Sequence, residues 1–292
     1  MPSVGVVTEW ALGLTAGAVV LLLLAILVVR WNTTRRRRTQ RRRSSQVLPL
    51  LLQVIDGEQV DRPRDRGMSS ALSTAAADLT HKVRGAERNE LAAWLTSHGY
   101  REAALAGMHS RRPSRRARSL ELYLAATAGT DAQPVAALLR DPHPRVRAAA
   151  ARALGDSGAA SAVPDLVAAV ASRRRTISPS TVAMAIVHAA PTNAAGLQHA
   201  WTSPDVAVRT MAADIAGYLG LADARPQIEA QLDPKDPEVH DHAVAALLRI
   251  GDPRSLPALT AARERVGRDG ARAHTLAVVI ESLRATDRGS TP

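Results

Sequence analysis

The chain has 292 residues, room for one large or two small domains, and its 46% apolar content suffices for a buried core. The absence of Cys excludes disulfides, thiolate nucleophiles and Cys-ligated zinc, while zero Phe, four Trp and three Tyr amid abundant Ala point to thin, closely packed helices rather than aromatic plugs. Arg30, Arg35, Arg36, Arg37, Arg38, Arg41, Arg42 and Arg43, with no acid between them, supply eight of the +11 net charge, so the basicity is mostly local and a poor argument for DNA or RNA binding.

Residues 1–43 read as a membrane anchor. Ala11 to Val29, "ALGLTAGAVVLLLLAILVV", carries no charge, and a helix rising about 1.5 Å per residue crosses a hydrocarbon core of roughly 30 Å in that length. Trp10 and Trp31 bracket the run at headgroup level, giving a span of about 10–31. A cleaved signal peptide would need a basic start and a small-residue cleavage site; here only Glu9 is charged before the run and arginines follow it. The Arg flank predicts an N-terminus outside and a cytoplasmic body. That flank can also bind anionic headgroups, although a topology determinant alone is the simpler reading. Gly13 and Gly17 form a GxxxG pair, a weak signal for a homodimer.

Residues 44–68 form a juxtamembrane linker. Its apolar cluster, Val47 to Ile55, is too short to span and is expected either in the membrane interface or against the first helix of the domain. From Ser69 onward, 69–292, helical patterns are punctuated by Pro, Gly, Asp and Ser.

Sliding the chain against itself reveals a period of 31 residues. "GDSGAASAVPDL" at 155–166 recurs as "GYLGLADARPQI" at 217–228 and "LRIGDPRSLPAL" at 248–259, aligning Pro164, Pro226 and Pro257, as well as Gly158, Gly220 and Gly251, and Val146, Val208 and Val239. A degenerate copy between them keeps Ile177 and Leu197 but loses the Gly and Pro; a poorer one covers 114–140 with Pro134 displaced. Residues 87–109 can hold one more pair, and 271–283 reads as a closing helix. In each unit Asp141, Ser172, Ser203 or Asp233 is expected to cap a first helix, a Gly turn ends it, and Pro opens the second. Two such thin helices cannot bury their apolar stripes alone, so the units must stack.

The frameworks "VRAAAARALGDSGAASAVPDL", "VRTMAADIAGYLGLADARPQI" and "VHDHAVAALLRIGDPRSLPAL" closely resemble HEAT repeats of the short bacterial kind, also called PBS-lyase-like repeats, over about 113–285 and more loosely over 69–112. The resemblance implies an all-α fold, a right-handed α-solenoid of about five to six hairpins whose surface binds other proteins. It names no partner, because such repeats serve adaptors, lyases and oxygenases.

Neither enzymatic branch finds its residues here. The oxygenase branch, similar to deoxyhypusine hydroxylase, holds di-iron with repeated His-Glu pairs, and this sequence contains no His-Glu dipeptide. No motif distinctive of the bilin-lyase branch occurs beyond the shared repeats. His240, Asp241 and His242 cannot chelate together, since residues two apart on a helix point to different sides. With no phosphate-binding loop, nucleophile elbow or HExxH helix, no catalytic, cofactor or metal residue is assigned. Arg116, Arg147 and Arg209 stand at period spacing and are expected to form a structural ladder. Arg111 and Arg112 lie 62 residues before Arg173 and Arg174, with Arg115 and Arg175 adjoining. With Arg116 and Arg118 added to the first, these two clusters are expected to share one edge of the solenoid as a surface for acidic protein, the membrane surface or nucleic acid; the competing reading is solvated turns in a chain whose only lysines are Lys82 and Lys235. No aromatics interleave with them, which argues against single-strand nucleic-acid binding.

The sequence thus predicts a non-enzymatic, single-pass membrane protein whose cytoplasmic repeats act as a scaffold or adaptor for a membrane-associated protein partner. The alternatives are a regulatory or assembly subunit of a membrane enzyme such as a glycosyltransferase, then a nucleic-acid-binding solenoid or a bilin-lyase-like enzyme.

Overall fold

The computed structural model describes residues 47–289 except 59, 62, 64, 81, 172–176, 268 and 269. The expected anchor and its Arg flank lie outside the described residues, among which no helix is long and apolar enough to cross a membrane. All regular structure among them is helical.

The chain divides into two compact units, Met1–Ala75 and Ala76–Pro292. In the first, α1 covers 47–55 and buries Val47, Leu51 and Val54, while Leu48 and Leu52 stay about half exposed. The apolar cluster of the linker is therefore an amphipathic helix with one buried stripe. Helix α2 (Arg66–Thr80) follows, its first turn satisfied by Asp65, whose Oδ2 accepts the Met68 N–H at 2.9 Å.

The second unit is a succession of helical hairpins. Their first helices are α3 (Ala86–Ser97), α5 (Pro113–Ala126), α7 (Pro144–Asp156), α9 (Pro179–Ala189), α11 (Val206–Leu219) and α13 (Pro237–Ile250). The second helices are shorter: α4 (Tyr100–Met108), α6 (Gln133–Ala136), α8 (Val163–Ala171), α10 (Gln198–Trp201), α12 (Arg225–Glu229) and α14 (Leu256–Val266), with α15 (Ala271–Gly289) closing the series. Each first helix packs on the first helices before and after it, so one continuous core runs from Ala104 to Leu283. Pro134, Pro164, Pro226 and Pro257 all fall in the first turn of a second helix, where a missing N–H removes no helical bond.

Small residues set the spacing between hairpins. A Cβ on Gly155 of α7 would stand 2.5 Å from the Ala185 carbonyl oxygen of α9, and one on Gly217 of α11 would stand 2.7 Å from the Ala246 Cα of α13. The interior nevertheless contains aromatic plugs: Trp94, Tyr100, Tyr123 and Trp201 are buried, which corrects the expectation of a core without them.

Helix starts also differ from expectation. Asp141, Ser203 and Asp233 are not N-caps; each side chain accepts the N–H two residues on, from His143, Asp205 and Lys235, and shapes the turn before the helix. The N-caps of α7, α9 and α11 are His143, Ser178 and Asp205. Pro144 accounts for the shift in α7: it occupies the first helical position and holds His143 extended at φ −91°, ψ 121°. Ser172 lies outside the described residues.

In the degenerate copy, Ile177 and Leu197 are buried as apolar landmarks. The left-handed C-cap filled by Gly220 and Gly251 elsewhere is taken by Ala190 at φ +45°. A left-handed Ala is strained by its Cβ, so Ala190→Gly is expected to stabilise the protein by about 1 kcal/mol, read as a raised urea midpoint at unchanged slope.

Candidate functional site

Two surfaces emerge from the stack. The first is the edge formed by the turns leading into the first helices. At its centre, Arg116 on α5 reaches the turn before α7 and grips Asp141 with Nε at 2.8 Å and Nη2 at 2.7 Å, while its Nη1 donates to the Ser110 carbonyl at 2.9 Å. Arg147 on α7 donates to the Asp141 carbonyl at 3.0 Å, and Arg209 on α11 donates to the Ser203 carbonyl at 2.7 Å and to Asp236 Oδ2 at 2.9 Å. These arginines tie one hairpin's leading turn to itself or to the next. Burial works against ionisation of Asp141, but the Arg116 guanidinium and the His143 N–H outweigh it and hold the carboxyl below the ordinary aspartate range.

Arg111 and Arg112 are exposed in the α4–α5 turn, and Arg115 is exposed on the first turn of α5. Arg173, Arg174 and Arg175 lie outside the described residues. His240 takes the next period position after Arg209 but is buried, with Nδ1 3.2 Å from Asp241; His242 turns instead to Asp214 on α11, 2.9 Å away. The two rings diverge as helical spacing requires, and among the described residues no group of three His, Asp or Glu side chains is placed to hold a metal ion.

The second surface is an open groove of about 730 Å³ across α9, α11 and α13. Met184 and Val187 of α9, Ile215 and Tyr218 of α11, and Ala245 and Arg249 of α13 line it. Met184 is 56% and Tyr218 70% exposed, unusually open for apolar side chains in an otherwise well-filled stack. The rim is polar: Asp214 faces both His242 and Arg249, and Asp241 accepts from Arg272 of α15 at 2.9 Å. These half-exposed pairs contribute on the order of 0–1 kcal/mol each and serve chiefly to register neighbouring helices.

The sequence reading missed this groove. The available signal was Tyr218, an aromatic lying off the α11 stripe of Val208, Met211, Ala212, Ile215 and Ala216. Its neighbours across the groove come from helices in adjacent repeats, which periodicity alone does not bring together.

A family profile described as HEAT repeats matches residues 102–186 and 194–278, more than half of the chain. The chain belongs to the HEAT-repeat family. No curated protein matches the HEAT chain in sequence. Among solved structures it is similar to human deoxyhypusine hydroxylase in complex with glycerol, at 14% identity and TM-score 0.35, over 83% of this chain and 97% of that one. It is also similar to the complex of CpcE and CpcF of phycocyanin lyase from a Nostoc species, at 17% identity and TM-score 0.31, over 77% of this chain and 99% of that one. Neither likeness carries an activity over to this HEAT protein.

Proposed function

We infer that this HEAT-repeat protein is a non-enzymatic, membrane-tethered scaffold: the Ala11–Val29 run spans the bilayer, its Arg flank keeps the repeats cytoplasmic, and the groove across α9, α11 and α13 receives a protein partner. The observation that carries the reading is the groove itself, where Tyr218 and Met184 offer open apolar surface inside a polar rim. An apolar centre with a charged border is the anatomy of a protein interface, and Tyr is enriched among residues that dominate binding energy. Tethering adds affinity without new contacts, because confinement to the membrane raises the local concentration of scaffold and membrane partner.

The test is a crosslinked pull-down of tagged full-length protein in mild detergent, compared with protein lacking residues 1–43 and with Tyr218→Ala. The expected result is a stoichiometric membrane protein retained by the anchored form, lost without the anchor, and weakened tenfold or more by Tyr218→Ala. A partner that Tyr218→Ala leaves unchanged removes the groove from the proposal. If the partner is a membrane glycosyltransferase recovered at one-to-one stoichiometry, the scaffold is a dedicated subunit of that enzyme.

A further inference from the structure

The leading-turn edge is segregated by charge along the stack. Around the starts of α5 and α7, residues 103–120 and 142–155 contain no Asp or Glu, and Arg111, Arg112, Arg115, Arg118 and Arg145 are all exposed. Glu121, Asp131 and Asp141 lie between these two stretches; Asp141, the one in the turn before α7, is buried and engaged by Arg116. None of the five exposed guanidinium groups makes an ion pair among the described residues. At the start of α13, where Asp236 is paired with Arg209, the same edge carries exposed Asp233 and Glu238 against Lys235.

The Arg116 fork draws Arg111, Arg112, Arg115 and Arg145 to one edge, with Arg118 one turn further along α5. By gripping Asp141 while donating to the Ser110 carbonyl, it holds the α4–α5 turn, the first turn of α5 and the turn before α7 together. Arg111, Arg112 and Arg115 are thereby placed beside Arg145 on a framework whose central charge is already neutralised. The Arg209–Asp236 pair performs the same tie between α11 and α13, where the exposed charge has the opposite sign.

We propose that this basic end of the edge seats on the headgroups of an anionic phospholipid bilayer, with the acidic turn before α13 held away from it. Clustered guanidinium groups are drawn to an anionic leaflet, and the attraction falls off within a Debye length. No Trp, Tyr or Phe stands within 109–118 or 142–148, so the base-stacking platform of single-strand binders is missing there. The charge reversal along the edge fits a flat charged plane, which attracts one end of the stack and repels the other. The proposal rests on the membrane-tethered reading and adds an orientation: the early repeats lie at the bilayer and the turn before α13 stands away from it.

The lack of native Cys allows single-site labelling. Full-length Ser114→Cys and Lys235→Cys proteins carrying a nitroxide are reconstituted in phosphatidylcholine vesicles with and without about 30% phosphatidylserine. Flotation after a high-salt wash reports the anchor; accessibility to an aqueous nickel complex reports the edge. Phosphatidylserine is expected to shield the Ser114 label several-fold and leave the Lys235 label open, with shielding lost in 0.5 M salt or when all five arginines become Gln. Arg116 is kept in that variant so that the fold is retained, and an unchanged melting temperature verifies it. Failure to float with neutral vesicles overturns the tether and this proposal with it. Flotation with a Ser114 label indifferent to phosphatidylserine overturns the edge alone. Shielding produced by added single-stranded RNA and not by phosphatidylserine reassigns the edge to nucleic acid.

Discussion

Gly155→Leu is expected to destabilise the repeat stack by about 3 kcal/mol, read as a lowered urea midpoint. Even the first atom of a side chain would meet the Ala185 backbone at 2.5 Å, and backbone cannot swing aside as a flexible side chain does. Gly217→Leu meets Ala246 in the same way one hairpin pair later. Gly158→Ala separates this steric effect from backbone strain: Gly158 has φ +73° with open space around it, so only the left-handed penalty of about 1 kcal/mol applies. If Gly155→Leu costs no more than Gly158→Ala, the close approach of α7 and α9 is wrong. Because repeats are stabilised by nearest neighbours, the loss should appear first as local opening between these two helices, detectable by hydrogen exchange.

Asp141→Ala is expected to cost about 3–5 kcal/mol, because it strands the Arg116 guanidinium, whose side chain is only 12% exposed. Asp236→Ala strands Arg209, which is as covered as Arg116 at 13%, but water already reaches that pair through Asp236, 53% exposed where Asp141 is 4%. Its loss should therefore cost at most about 1 kcal/mol. The pair also predicts a pH dependence. The folded state holds the Asp141 carboxyl below its unfolded value, so its stabilisation is complete above the unfolded aspartate range and is lost as pH falls through the lower, folded value. Urea titrations at successive acid pH values should show this fall in the wild type and a flatter profile in Asp141→Asn. Identical profiles would mean that Arg116 does not stabilise the Asp141 charge.

Much of the architecture is written locally. The helix-opening prolines Pro164, Pro226 and Pro257 and the turn glycines Gly158, Gly220 and Gly251 act within a few residues of themselves, through a fixed φ or a tolerated positive φ, and so survive reading in one dimension. The degenerate copy was legible through its apolar landmarks Ile177 and Leu197, whereas its strained Ala190 was not, since nothing about an Ala in sequence announces a left-handed backbone. Cap positions were displaced for a related reason: Asp141, Ser203 and Asp233 are good cap residues by type, but the chain uses them one turn earlier.

By itself, then, the sequence determined the repeat unit, its period and its helical hairpin, because these follow from backbone preferences and apolar spacing inside one unit. Only the tertiary structure decided what the surface presents. Asp141 becomes the buried partner of Arg116 25 residues before it, Tyr218 is left open beside Met184 of the preceding hairpin, and His242 turns to Asp214 rather than to His240. Each outcome depends on which side chains the stacking of neighbouring helices covers, and coverage is a property of three-dimensional contact that no single segment contains.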